Sequence, residues 1–262
     1  MSRQRRSSGG GAKGEKGSSG RSYRGHAGLT MRPRNMRSRK SSSNRWIERQ
    51  LNDPYVQETH RRGLRSRAAI KLEQIEDRYP FLRPHQRVVD LGCAPGGWLQ
   101  VASEKIKLNK NQGAALVGID LLETDPIGGA QILVGDITEP EMLQAVHDAI
   151  EGKADVVMSD MAAATTGHRA TDHLRTMGLL EVALDFAIQI LTPGGTFLAK
   201  AFRGGAEKPL MDLLHAHFEK VRHIKPPASR AESVETYLLA SGFKMPDDHA
   251  TIASSQTPSD AD

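Results

Sequence analysis

Between residues 44 and 244, short aliphatic runs alternate with stretches whose apolar positions recur every three or four residues. VVDLG (88–92), LVGIDLL (116–122), ILVGDI (132–137), DVVMSDM (155–161), TFLAKAF (196–202) and TYLLASGF (236–243) read as strands. Their nearly continuous Val, Ile and Leu marks strands buried on both faces. Helical spacing follows near 96–108, 139–150, 173–191 and 207–219, and precedes the first strand over Leu64–Glu76. In the longest stretch Leu180, Leu184, Ala187, Ile188 and Leu191 keep one stripe, and Pro193-Gly194-Gly195 reads as its stop. Strands alternating with helices predict an α/β fold: a doubly wound, Rossmann-like, mostly parallel sheet with helices on both faces. In such sheets ligands bind beyond the carboxyl ends of the strands.

Composition divides the 262 residues into three parts. Residues 1–43 hold little beyond Gly, Ser, Arg and Lys, too little apolar surface to offset chain entropy, so a disordered basic tail is expected. Residues 1–45 carry 13 Lys/Arg and one acid, Glu15, while the rest of the chain carries 23 basic and 30 acidic residues. The basic pI therefore belongs to the tail, which suits a flexible polycation for phosphates. Residues 245–262 read as a disordered acidic tail, leaving 44–244 as one domain. A single cysteine, Cys93, excludes an internal disulfide and fits a reducing, cytoplasmic setting. No apolar run is long enough for a bilayer, so no membrane partner is expected.

The first strand runs into Asp90-Leu91-Gly92-Cys93-Ala94-Pro95-Gly96-Gly97-Trp98. Glycines let this backbone turn and approach a ligand, yet the spacing fails the G-x-G-x-x-G of dinucleotide sites. Asp90 would repel a pyrophosphate and attract an ammonium or sulfonium. Asp120, ending the second strand, can accept both hydrogens of a ribose diol, and Asp136, ending the third beside Ile137, can receive an adenine amino group. The ordered set of Asp90, Asp120 and Asp136 around the Gly92, Gly96 and Gly97 loop predicts a pocket for S-adenosylmethionine, with Trp98 and Ile137 as further candidate contacts. Trp98 has two open readings, packing on the adenosyl group or filling the core.

Asp160 ends the fourth strand and Lys200 the fifth, Glu235 opens the last, and Lys71 sits one helical turn from Arg67. Two lysines and two carboxylates around a methyl donor suit removal of a proton from a weakly acidic hydroxyl. Desolvation or a second cation acts to lower one lysine, Lys200 foremost, from about 10.4, and two roles stay open for it: a neutral base that takes the hydroxyl proton, or a cation that stabilises a developing alkoxide.

DPYVQETHRRGLRSRAAIKL (53–72), VVDLGCAPGGW (88–98), SDMA (159–162), LTPGGTFLAKAF (191–202) and KPPASRAESVETYLLASG (225–242) together resemble the FtsJ/RlmE-type ribosomal RNA 2′-O-ribose methyltransferases. DLL (120–122) and GDI (135–137) join that resemblance, which covers about 44–244. It implies that fold, a catalytic tetrad at Lys71, Asp160, Lys200 and Glu235, and cofactor contacts at Gly96, Trp98, Asp120, Asp136 and Asp160. It further implies a uridine of 23S rRNA in the large ribosomal subunit as substrate, with S-adenosylhomocysteine as co-product. Cys93 stands where alanine is expected, and Ala163-Ala164 where a Pro-Asn pair is usual, which bears on the shape of the target-base pocket.

RNA contact is expected from Arg61, Arg62, Arg65, Arg67 and Arg230, with Lys220, Arg222 and Lys225, flanking the strand ends. Trp46 and Tyr55 are read as anchors of the domain's start. Cys93 could be the nucleophile of a base methyltransferase, but its place among the loop glycines favours a small buried side chain. The histidines show no metal-binding spacing, so no metal is expected. A monomer is the expected state. A base methyltransferase would carry an Asn/Asp-Pro-Pro-aromatic run where this chain has Ser-Asp-Met-Ala. A non-catalytic assembly factor would have no use for a buried lysine.

Overall fold

The structure is a computed structural model and describes residues 52–108, 115–164, 166–203 and 208–245. The expected tails, Met245 apart, and the anchoring place read for Trp46 lie outside those residues. Helix α1 (Pro54–Arg62) opens where Asp53 accepts the Tyr55 N–H and Pro54 takes the first helical position. It closes at Gly63 in the left-handed region, φ 65°. Helix α2 spans Arg67–Arg78, so Leu64, Arg65 and Ser66 lie in the connection between the two helices rather than in the expected Leu64–Glu76 helix.

Seven strands follow: β1 (Arg87–Leu91), β2 (Ala115–Asp120), β3 (Gln131–Val134), β4 (Ala154–Ser159), β5 (Leu191–Phe202), β6 (Phe218–Ile224) and β7 (Glu235–Phe243). They form one sheet in the order β3-β2-β1-β4-β5-β7-β6. Pairings from β3 through β5 are parallel, and β7 runs antiparallel to both of its neighbours. Between them lie α3 (Gly97–Lys105), α4 (Pro140–Ala149), α5 (Arg169–Ile190) and α6 (Lys208–His217).

Because side chains alternate across a strand, adjacent valines enter different cores. Val88 packs with α2 and α3 residues such as Leu72 and Leu99, and Val89 joins Leu184 and Ala187 of α5 on the other face. This double burial explains the unbroken apolar runs; each fully buried Val or Leu contributes roughly 1.5–3 kcal/mol.

Three expectations are corrected. The long helix begins four residues earlier than read, and Asp172 in its first turn collects the Thr166 and Gly167 N–H groups. It also ends at Ile190: Pro193-Gly194-Gly195 lies inside β5, where the pairing with β4 shifts register between Ala154 and Val156. Strand β6 was not anticipated. It is an edge strand whose Glu219, Lys220 and Arg222 interrupt the alternation, as charged edges do.

Candidate active site

Parallel strands deliver their carboxyl ends to one edge of the sheet, and the candidate residues gather there. Asp160 follows β4 directly, Lys200 lies near the end of β5, Glu235 opens the antiparallel β7, and Lys71 enters from α2. Lys71 Nζ is 2.7 Å from Glu235 Oε1, Lys200 Nζ is 3.8 Å from Glu235 Oε2, and Lys200 Nζ is 2.8 Å from Asp160 Oδ1. Tyr237 closes the circuit: its hydroxyl donates to Asp160 Oδ1 at 2.9 Å and accepts from Lys71 Nζ at 3.3 Å. Ser229 donates to Glu235 Oε1 at 2.8 Å, and Lys200 also donates to the Asp160 carbonyl at 3.2 Å. Tyr237 was missed in sequence, where TYLLASGF reads only as an apolar strand. Its place opposite Lys200 in the β5–β7 register was the signal, and that register is not visible in one chain.

The electrostatics choose between the two roles open to Lys200. Burial does act to lower the Lys200 ammonium, but the Asp160 and Glu235 carboxylates outweigh it, so its pKa is raised above the ordinary lysine value. Lys200 therefore rests as a cation, not as a neutral base. Burial raises Glu235, yet Lys71 and Lys200 prevail and hold it below the usual carboxylate range. Burial pushes the Tyr237 phenol well up, with Asp160 and Glu235 adding to it, so that hydroxyl keeps its proton. The cluster holds two ammoniums between two carboxylates, all nearly out of water.

The neighbouring loop turns through Gly92 (φ 75°) and Gly96 (φ 99°), the latter capping α3. A Cβ at Gly92 would meet Met161 at 2.4 Å, and one at Gly97 would meet Ser66 Oγ at 2.1 Å. Asp90 is 1% exposed, and both of its carboxylate oxygens lack a hydrogen-bond partner. Burial first, then Asp160 and Asp120, raise its pKa well above the usual range. An orphaned buried acid at a strand end is what a cationic amine on a ligand would satisfy. Asp120 accepts the Ala94 and Leu122 N–H groups, one on each oxygen, and retains a second lone pair on each. Asp136 lies beyond the end of β3, not on it, where Thr138 binds its Oδ1 and keeps its pKa low. Ile137 packs against the apolar cluster on the α5 face. These donors and acceptors fit an S-adenosylmethionine-like molecule.

Of the two places open to Trp98, its indole takes the core: it is 2% exposed, donates to the Ala68 carbonyl and lies 5.8 Å from the Tyr237 ring. Cys93 is also buried, and burial with the nearby Asp90 charge pushes its thiol up to about 12. Among the described residues, no group of His, Cys, Asp and Glu could hold a metal ion, and no helix is long and apolar enough to cross a membrane.

The expected RNA-facing residues separate. Arg61 pairs with Glu58 and Arg62 with Glu73. Arg65 reaches over the loop to the carbonyls of Pro95, Asp125 and Pro126. Arg67 is committed to the fold through Asp53 at 2.8 Å and the Ala228 carbonyl, with Arg230 3.9 Å from the same aspartate. Lys225 donates to the Ala231 and Ser233 carbonyls. Lys220 and Arg222 do not flank the strands' carboxyl ends: β6 register places them level with Ser241 and Leu239, toward the opposite edge.

Residues 64–243 match the FtsJ-like methyltransferase family. The chain is 55% identical over 221 residues to Ribosomal RNA large subunit methyltransferase E of Paramagnetospirillum magneticum, covering 84% of this chain and 91% of that protein. It is 52% identical over 239 residues to the protein of the same name from Brucella anthropi, covering 91% and 99%. A solved ribosomal RNA methyltransferase of Plasmodium falciparum superposes with a TM-score of 0.61 at 30% identity, over 68% of this chain and 98% of that one.

Proposed function

The chain belongs to the FtsJ-like methyltransferase family, and on that premise we propose that it methylates the ribose 2′-hydroxyl of a uridine in 23S rRNA. The methyl donor in this reading is S-adenosylmethionine. We place the activity in the cytoplasm, on rRNA of the large subunit, with a monomeric enzyme and no metal. The carrying observation is the closed circuit of Lys71, Glu235, Lys200, Asp160 and Tyr237 at the sheet edge, next to the orphaned Asp90 carboxylate.

S-adenosylmethionine, when bound, supplies an electrophilic methyl on a sulfonium and departs as S-adenosylhomocysteine. Asp90 would hold its ammonium, Asp120 its ribose diol, and Asp136 with Ile137 its adenine end. Gly92, Gly96 and Gly97 let the loop turn tightly against Met161, Arg65 and Ser66, and its backbone, that of Trp98 included, would line the ligand. Lys200 Nζ, as an ammonium, donates toward the ribose 2′-oxygen and stabilises the negative charge that grows as its proton leaves. No described group donates to Asp160 Oδ2, and this oxygen accepts that proton and releases it to solvent. Lys71 holds Glu235, which helps fix the Lys200 side chain. Tyr237 orients Asp160 from the other side.

The test incubates the protein with methyl-labelled S-adenosylmethionine and large ribosomal subunits, digests the rRNA with alkali and locates the label. Label in an alkali-resistant dinucleotide with a 2′-O-methyl ribose is expected. Label on a base, or none, would overturn the proposal.

A further inference from the structure

At the edge of the sheet where β1, β4 and β5 begin, a groove of about 470 Å³ is lined by Arg78, Tyr79, Arg83, Gln86, Thr196 and Arg222. Arg78 ends α2 and Arg222 comes from β6, yet both guanidiniums lie over the Tyr79 ring, 5.3 and 5.2 Å from its centroid. One aromatic platform thus holds two cations. Around the active site Arg61, Arg62 and Arg67 are each matched to a carboxylate, whereas among the described residues none of the three groove arginines has such a partner. The groove's acid, Asp155, accepts the Arg87 N–H on its Oδ2 at 2.8 Å. Between the two tails, residues 46–244 hold 26 acids against 23 basic residues, yet this one concavity gathers three arginines around a single carboxylate. Guanidinium forks suit phosphate oxygens.

We propose that this groove is a second RNA-binding site, which takes the phosphate backbone of an rRNA segment other than the one being methylated. The inference rests on the ribosomal RNA reading above. Thr196 and Lys200 lie four residues apart on β5, so the groove sits roughly 13 Å along the strand from the catalytic ammonium. A folded rRNA segment spans that easily. Contact on both edges would fix the domain's orientation on its substrate without base recognition.

The experiment uses the full chain with Arg78→Gln, Arg83→Gln and Arg222→Gln combined, beside Arg83→Glu alone. The Arg83 side chain makes no bond among the described residues, so the single variant keeps the test valid if the triple variant fails to fold. Binding to an rRNA fragment is measured against salt, together with kcat, KM and S-adenosylmethionine affinity. The slope of log affinity against log salt should become shallower by about 2–3 in the triple variant and about 1 in the single. KM should rise, with kcat and cofactor affinity unchanged. Unchanged slope and KM would overturn the proposal, as would weakened binding to assembled subunits alone, which would point to a ribosomal protein as the occupant. Altered slopes in a protein that methylates no ribose would sink the proposed function and leave the groove standing.

Discussion

Replacing Glu235 with Gln removes one carboxylate from between two ammoniums, 2.7 Å from Lys71 and 3.8 Å from Lys200. The three side chains are only 9–15% exposed, so water screens the uncovered charge poorly. Breaking a buried ion pair from one side costs about 3–5 kcal/mol. The Gln amide can still accept from Lys71 and Ser229, which argues for the lower end, about 3 kcal/mol. In a domain of this size that is a fall in Tm of roughly 6–12 °C at pH 7. Glu235 is held below its usual pKa, so its contribution is present above about pH 4.3 and is lost as pH falls through the lowered folded value. The gap between wild type and variant should therefore close in acid. Adding Lys71→Met to Glu235→Gln should cost less than the two changes summed, because the uncovered cation is gone. Calorimetry of the four proteins from pH 7 to 3 measures this. A Tm within 1 °C of wild type at pH 7, or a gap that does not vary with pH, would refute the electrostatic account.

Asp90 is a buried acid with a raised pKa, so it costs stability as pH climbs above its unfolded value. Asp90→Asn should raise the Tm of the cofactor-free protein above about pH 5, by about 2–4 °C per kcal/mol recovered, and weaken S-adenosylmethionine binding at least about tenfold; unchanged affinity by titration calorimetry would remove Asp90 from the pocket. Gly97→Ala should lower stability by about 1–3 kcal/mol in chemical denaturation, since its Cβ would meet Ser66 Oγ at 2.1 Å. Cys93 should resist a thiol reagent at pH 8 until the protein unfolds, given a buried thiol pushed up to about 12. Rapid labelling of the native protein would contradict that burial.

The sheet was legible because its strands are buried on both faces: Val88 and Val89 look alike in sequence for the reason that each lies in a different core. What failed was punctuation. Pro193-Gly194-Gly195 has the composition of a helix stop, but the helix had already turned into β5 at Leu191, and the glycines serve an irregular strand pairing. Strand β6 was hidden by its edge charges. Lys71, Asp160, Lys200 and Glu235 could be named because strand ends converge in this topology, and the structure brings them within 2.7–3.8 Å of one another along the chain of pairs. Their charge states could not be named. A lysine in an apolar strand reads as a candidate neutral amine, and only the distances to two carboxylates reverse that sign. Arg67 shows the same limit, since a basic residue near a strand end turned out to be tied to Asp53.

The most direct test of Lys200 as a charge-stabilising cation is the single-turnover rate of ribose methylation as a function of pH, at saturating S-adenosylmethionine and rRNA. With Lys200 held protonated by Asp160 and Glu235, the rate should stay level from about pH 7 to 10. A rate that climbs about tenfold per pH unit across that range would mean that the neutral amine is the working form, and would contradict the account.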